Sequence, residues 1–77
     1  MDWRERIGAD PGIAFGKPVV KGTRLAVEFV IGLLAHDCPV EEILANYPQL
    51  TREDILACLA FAGELVEEQS MYPLAAK

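Results

Sequence analysis

The sequence predicts a mainly α fold, with a short N-terminal β-hairpin followed by a three-helix, helix-turn-helix-like bundle of homeodomain-like or winged-helix-like outline. Three observations predict it. Before residue 27 the apolar residues alternate or form short runs between Asp-Pro-Gly and glycine turn signals. From Val27 onward the apolar period becomes helical. Prolines at 39 and 48 then divide that helical region into three. At 77 residues the chain has room for one domain: a β-segment over 1–26, the bundle over 27–70 and a tail over 71–77.

Each element follows from local chemistry. Trp3-Arg4-Glu5-Arg6-Ile7 alternates with period two and reads as a half-buried strand, with Trp3, Glu5 and Ile7 on one face. Asp10-Pro11-Gly12 is turn chemistry, and a second extended piece, Pro18 to Leu25, lies between Gly16 and around Gly22. Val27, Val30, Ile31 and Leu34, widened by Phe29 and Leu33, give a first helix ending near His36. Pro39 suits the first position of a second helix, whose Glu41 and Glu42 complement the dipole. Tyr47-Pro48 ends it. Thr51 and Asp54 form a candidate capping box for the third and longest helix, which ends between Ser70 and Pro73. Along it Ile55, Leu59, Ala62 and Val66 make one ridge and Cys58, Phe61 and Leu65 another.

The inventory argues against catalysis. There is one histidine and one serine, Ser70, and no cysteine has a base beside it in sequence, so nucleophilic chemistry lacks its parts and no catalytic residue is assigned. The pairs Glu41/Glu42, Glu53/Asp54 and Glu67/Glu68 are sequence neighbours, about 100° apart on a helix, and read as solvated faces. His36 and Cys38 supply two of the four ligands of a closed zinc site, so no metal is expected. Cys38 and Cys58 have neither C-x-x-C spacing nor a disulfide framework around them, and read as packed thiols. The stretch from Gly16 to Thr23 has the letters of a phosphate loop in the wrong order: no lysine follows Gly22, and no helix starts there. No cofactor is expected. Nor does any segment read as a signal peptide or membrane span, which predicts a cytoplasmic protein.

Charge is unevenly placed. Through Arg24, five basic residues (Arg4, Arg6, Lys17, Lys21, Arg24) stand against three acidic ones, a balance of +2. From Leu25, nine acidic residues face only Arg52 and Lys77, a balance of −7. The two ends are therefore built for different surroundings.

One block is specific. The run Asp10-Pro11-Gly12-Ile13, then Gly16-Lys17-Pro18-Val19-Val20-Lys21-Gly22-Thr23-Arg24-Leu25-Ala26-Val27, then Val40-Glu41-Glu42-Ile43-Leu44 with Tyr47-Pro48-Gln49-Leu50-Thr51 and Asp54-Ile55, resembles the domain-of-unknown-function family 433 from about Ile7 to Ala62. The resemblance implies N-terminal β-structure before a helix-turn-helix-like bundle. It also implies an antitoxin-like role beside PIN-type ribonuclease toxins, in the manner of VapB proteins. Where that family usually has glycine and then a capping residue before the second helix, this chain has Asp37 and Cys38, and cysteine caps weakly.

These readings combine into a non-catalytic binding module. Such ribonucleases hold divalent metal with clustered carboxylates, so Arg4, Arg6, Lys17, Lys21 and Arg24 are the candidate partner-binding residues, with the apolar strip Met71-Tyr72-Pro73-Leu74 beside them. Arg24 has a competing structural role, through a salt bridge with Glu28 or Asp10 or as a carbonyl clamp. The alternative function is a helix-turn-helix DNA-binding transcriptional regulator. A third helix that leads with Thr51, Arg52, Glu53 and Asp54 would bring carboxylates to phosphates, so any DNA binding should be weak and salt-dependent. A homodimer is expected because 52% of so short a chain is apolar. Cys58, Phe61 and Leu65 are its candidate interface, unless Phe61 and Leu65 pack under the hairpin of their own chain.

Overall fold

The computed structural model describes residues 2–68. A 3-10 turn, Trp3–Glu5, leads into strand β1, Ile7–Ala9. A tight turn at Ala14–Gly16 precedes strand β2, Pro18–Val20, and three helices follow: α1 Val27–Ala35, α2 Val40–Asn46 and α3 Arg52–Glu67. The hairpin followed by a helical bundle is the architecture the sequence indicates. The helix end expected between Ser70 and Pro73 and the strip from Met71 to Leu74 lie outside the described residues.

The hairpin is antiparallel, with Ile7 opposite Val20, Gly8 opposite Val19 and Ala9 opposite Pro18. That register turns Ile7 and Val20 inward together, and both are buried. Lys21 closes the pair by donating its N–H to the Arg6 carbonyl at 2.8 Å. Beyond β2 the chain reverses in a turn from Val20 to Thr23, whose third residue, Gly22, has φ +80°. The Thr23 hydroxyl donates to the Val20 carbonyl at 2.8 Å and accepts the Leu25 N–H at 3.0 Å, which fixes the approach to α1.

The first strand is shorter than its alternation suggests, because a local polar bond wins. The Asp2 carboxylate accepts the Arg4 N–H at 3.0 Å and the Arg6 N–H reaches the Trp3 carbonyl at 2.9 Å, winding Trp3–Glu5 into a turn. Only Ile7 onward is extended.

Helix ends carry the sequence's punctuation. Asp37 takes φ +65° just past α1; its N–H bonds the Leu34 carbonyl at 3.1 Å and the Cys38 N–H bonds the Leu33 carbonyl at 3.0 Å. This is a Schellman stop with aspartate where glycine is usual. Pro39, expected as the first helical residue of α2, instead precedes it as the cap with ψ 154°, and no side chain caps that helix. At α3 the capping box is complete: the Thr51 hydroxyl accepts the Asp54 N–H at 3.2 Å and the Asp54 carboxylate accepts the Thr51 N–H at 3.0 Å. Leu50 before the cap and Ile55 at the fourth helical position are both buried, the arrangement of a hydrophobic staple.

The core joins all of these elements. Ile7 and Val20 from the hairpin, Val27 and Val30 from α1, Ile43 from α2, and Ile55, Ala57 and Cys58 from α3 form one buried cluster with Leu50. Fully burying each large aliphatic side chain contributes about 1.5–3 kcal/mol.

Candidate functional site

The N-terminal turn is anchored on α3. Trp3 meets Phe61 edge to face with ring centroids 4.8 Å apart, and its indole N–H donates to Glu64 Oε2 at 2.7 Å. Arg4 reaches the other oxygen of the same carboxylate at 3.1 Å while its guanidinium lies 4.4 Å from the Trp3 ring centre. The indole hydrogen bond, followed by the Arg4 charge, holds the Glu64 carboxyl below its usual range against the opposing effect of desolvation.

The predicted partner-binding cations are largely committed within the chain. Arg6 pairs with Asp54 at 3.0 Å, reinforcing the cap of α3. Lys17 pairs with Glu28 at 2.7 Å. Lys21 donates its ammonium to the Arg4 carbonyl at 2.9 Å. Arg24 pairs with neither Glu28 nor Asp10: Lys17 takes Glu28, and the Arg24 guanidinium donates to the Gly12 carbonyl at 3.4 Å, the carbonyl clamp among its expected structural roles. Each of the five residues thus has a partner within its own chain.

The expected dimer seam also divides. Cys58 has no exposed surface and belongs to the core of its own chain, so it cannot line a seam. Burial, with the Asp54 charge adding to it, pushes its thiol up to about 11. Phe61 is half-buried against Trp3, the same-chain packing considered for it, whereas Leu65 is 46% exposed. The reason lies in the helical phase: the face centred on Cys58 is the one α3 turns toward the hairpin and the other helices.

Two features escape a reading of periodicity. One is a groove of about 430 Å³ between α1 and α3, walled by Val27, Ile31, Gly32, Phe61, Ala62 and Leu65 and edged by Pro18 and the Lys17–Glu28 pair. Its walls come from helices separated in sequence, and no local spacing announces them. The other is Phe15, which is 99% exposed on a turn where Ala14, Phe15 and Gly16 all have positive φ (51°, 57° and 81°). Such torsions are costly for a bulky residue, and its position between turn residues was the available signal.

Among the described residues no three His, Cys, Asp or Glu side chains stand close enough together to hold a metal ion. His36 Nδ1 lies 2.8 Å from the Gly32 carbonyl, a contact at the end of α1. The Cys38 thiol donates to Glu42 at 3.3 Å and is raised by desolvation, with that hydrogen bond adding to it. Nor is any helix among the described residues long and apolar enough to cross a membrane.

The chain matches a family described as "Protein of unknown function (DUF433)" over residues 7–62. It belongs to the DUF433 family. A DUF433 member protein from Anabaena variabilis, whose crystal structure is known, is 32% identical and superimposes with a TM-score of 0.75. The similarity covers 82% of this chain and 62% of that one, so this DUF433 chain spans less than two thirds of its structural relative. A comparison with curated proteins gave no match. The matched span runs from the buried start of β1 to the groove residue Ala62, and so includes Lys17, Lys21 and Arg24 of the five cations, the capping box and most of the groove wall, but not Arg4 or Arg6.

Proposed function

We propose that this DUF433 protein is a non-catalytic, cytoplasmic protein-binding module that acts as a homodimer, the antitoxin-like partner of a PIN-type ribonuclease toxin. The observation that carries the reading is the groove between α1 and α3. A concave apolar surface with a single ion pair at its edge suits the side chains of a protein partner better than a polar small substrate, which needs several converging donors and acceptors. Phe15 supports it, since an aromatic side chain held in solvent on a costly backbone offers a large apolar area for a partner to bury. The ribonuclease as partner rests on the family resemblance set out from Gly16 to Ile55. The cations still present charge to it, because the Arg4 and Lys17 side chains remain 62% and 56% exposed.

The DNA-binding alternative ranks second on one observation. Beyond Arg52 in its first turn, the side of α3 turned to solvent carries Leu56, Leu59 and Val66 rather than donors for base edges, and Asp54 at its start is held by Thr51 and Arg6.

The test is inhibition. PIN-type ribonucleases from the same genome are assayed for RNA cleavage with the purified protein and with Leu65→Glu, which places a charge in the groove at a half-exposed position. The reading expects stoichiometric inhibition by the parent for one of them, and at least about tenfold weaker inhibition by the variant, a loss of about 1.4 kcal/mol. If no such ribonuclease is bound or inhibited, the antitoxin reading is wrong. If the variant inhibits as well as the parent, the groove is not the contact.

A further inference from the structure

The outward side of α3 is apolar where a solvated helix is normally polar. Leu56, Leu59 and Val66 are 46%, 46% and 64% exposed, and with Gly63 they recur three and four residues apart along one side. The buried residues Asp54, Ala57 and Cys58 occupy the opposite side, and Ile55 is buried at the stripe's edge. Gly63 is a gap in the stripe, since a Cβ built there meets nothing within 4 Å. Arg52 opens the helix in line with the stripe and Glu67 closes it at its flank. Among the described residues neither has an ion-pair partner.

We infer that this stripe is the homodimer interface, paired antiparallel with the same stripe of a second copy. The inference rests on the homodimer part of the function proposed above and supplies its contact. Charge fixes the direction. Antiparallel helices set Arg52 against the partner's Glu67 at both ends of the contact, about 22 Å apart at 1.5 Å per residue, and oppose the two macrodipoles. A parallel pair would bring the Glu67 and Glu68 ends together, acid against acid. Size then fixes the register. With Arg52 opposite the partner's Glu67, Leu56 falls opposite the partner's Gly63, a large side chain over a vacant position, and the two Leu59 side chains meet beside the twofold axis. Each contact occurs twice, as an isologous interface requires. The interface uses none of the groove residues Phe61, Ala62 and Leu65, so dimerisation and partner binding do not compete. A contact of about four helical turns is smaller than the roughly 1,600 Å² of a standard interface, so the dimer is reversible.

Sedimentation velocity on the full chain from micromolar to millimolar concentration tests it, with far-UV circular dichroism on each variant to establish folding. The parent should pass from monomer to dimer over that range. Gly63→Gln fills the gap with a good helix former at a site that touches nothing, so it should keep the fold and stay monomeric, as should Leu59→Glu. Arg52→Glu and Glu67→Arg should each weaken the dimer about five- to tenfold, each reversal acting on two exposed pairs, and the two reversals combined should restore it. A parent that is monomeric throughout overturns both the interface and the homodimer reading. A Gly63→Gln protein that dimerises as the parent does, or a double reversal that fails to restore association, overturns this interface and leaves the homodimer reading standing.

Discussion

Replacing Asp54 with alanine should cost this small domain about 2 kcal/mol. The figure follows from two contacts that share one carboxylate. Oδ2 accepts the Thr51 N–H at 3.0 Å, half of the capping box, and losing a cap interaction costs about 1 kcal/mol. Oδ1 accepts from Arg6 at 3.0 Å; the Asp54 side chain is 10% exposed but Arg6 is 39% exposed, so the freed guanidinium regains much of its hydration and the pair counts for about 1 kcal/mol rather than a fully buried pair's value. For a domain of this size, 2 kcal/mol lowers the thermal midpoint by about 8–16 °C. Urea denaturation followed by circular dichroism supplies the free energy, with an unchanged slope showing that only stability has moved. Thr51→Ala should lose about 1 kcal/mol, and an Arg6→Met, Asp54→Ala double-mutant cycle should return a coupling of about 1 kcal/mol. A loss below about 0.5 kcal/mol for Asp54→Ala, or a coupling of zero, would refute the assignment of Asp54 as the joint between hairpin and third helix.

Further outcomes follow from single residues. Asp37→Gly should stabilise the protein by about 0.5–1 kcal/mol in urea melts, because φ +65° costs aspartate what glycine adopts freely. Phe15→Gly should also stabilise, by about 1 kcal/mol, since a side chain 99% exposed forfeits no burial, and it should weaken ribonuclease binding measured by calorimetry. A thiol-reactive dye at pH 8 should label Cys38 in the native protein and reach buried Cys58, raised to about 11, only on unfolding, as mass spectrometry of the labelled peptides would show. Glu64 is lowered when folded, so the stability it contributes is present above its unfolded value near 4.5 and is lost as pH falls through the lower folded value. Acid titration of the single tryptophan's fluorescence should show that loss in the parent, and Glu64→Gln should flatten it.

The bundle was legible because its signals are local. Helical spacing from Val27, the Thr51–Asp54 box and Tyr47-Pro48 act within a few residues of themselves, and each marks a feature of the fold. The N-terminal segment was read less well: Trp3, Glu5 and Ile7 alternate as in a strand, yet the Asp2 cap winds the first turn and Ile7 alone of the three is buried. The fates of the cations were not legible, since Arg6 finds Asp54 and Arg4 finds Glu64 across most of the chain's length. Cys58 was misplaced for a related reason. Two apolar ridges on α3 were visible, but which of them faces the hairpin depends on how the helix docks. The groove combines α1 and α3 and has no counterpart in any one segment.

The most direct test of the protein-binding reading is methyl NMR of the DUF433 protein titrated with PIN-type ribonucleases from the same genome. Methyl signals of Val27, Ile31 and Leu65 at the groove should shift or broaden at stoichiometric ribonuclease, while those of Ile43 and Ile55 in the core stay in place. Perturbation confined to residues away from the groove, or none at saturating ribonuclease, would contradict the account.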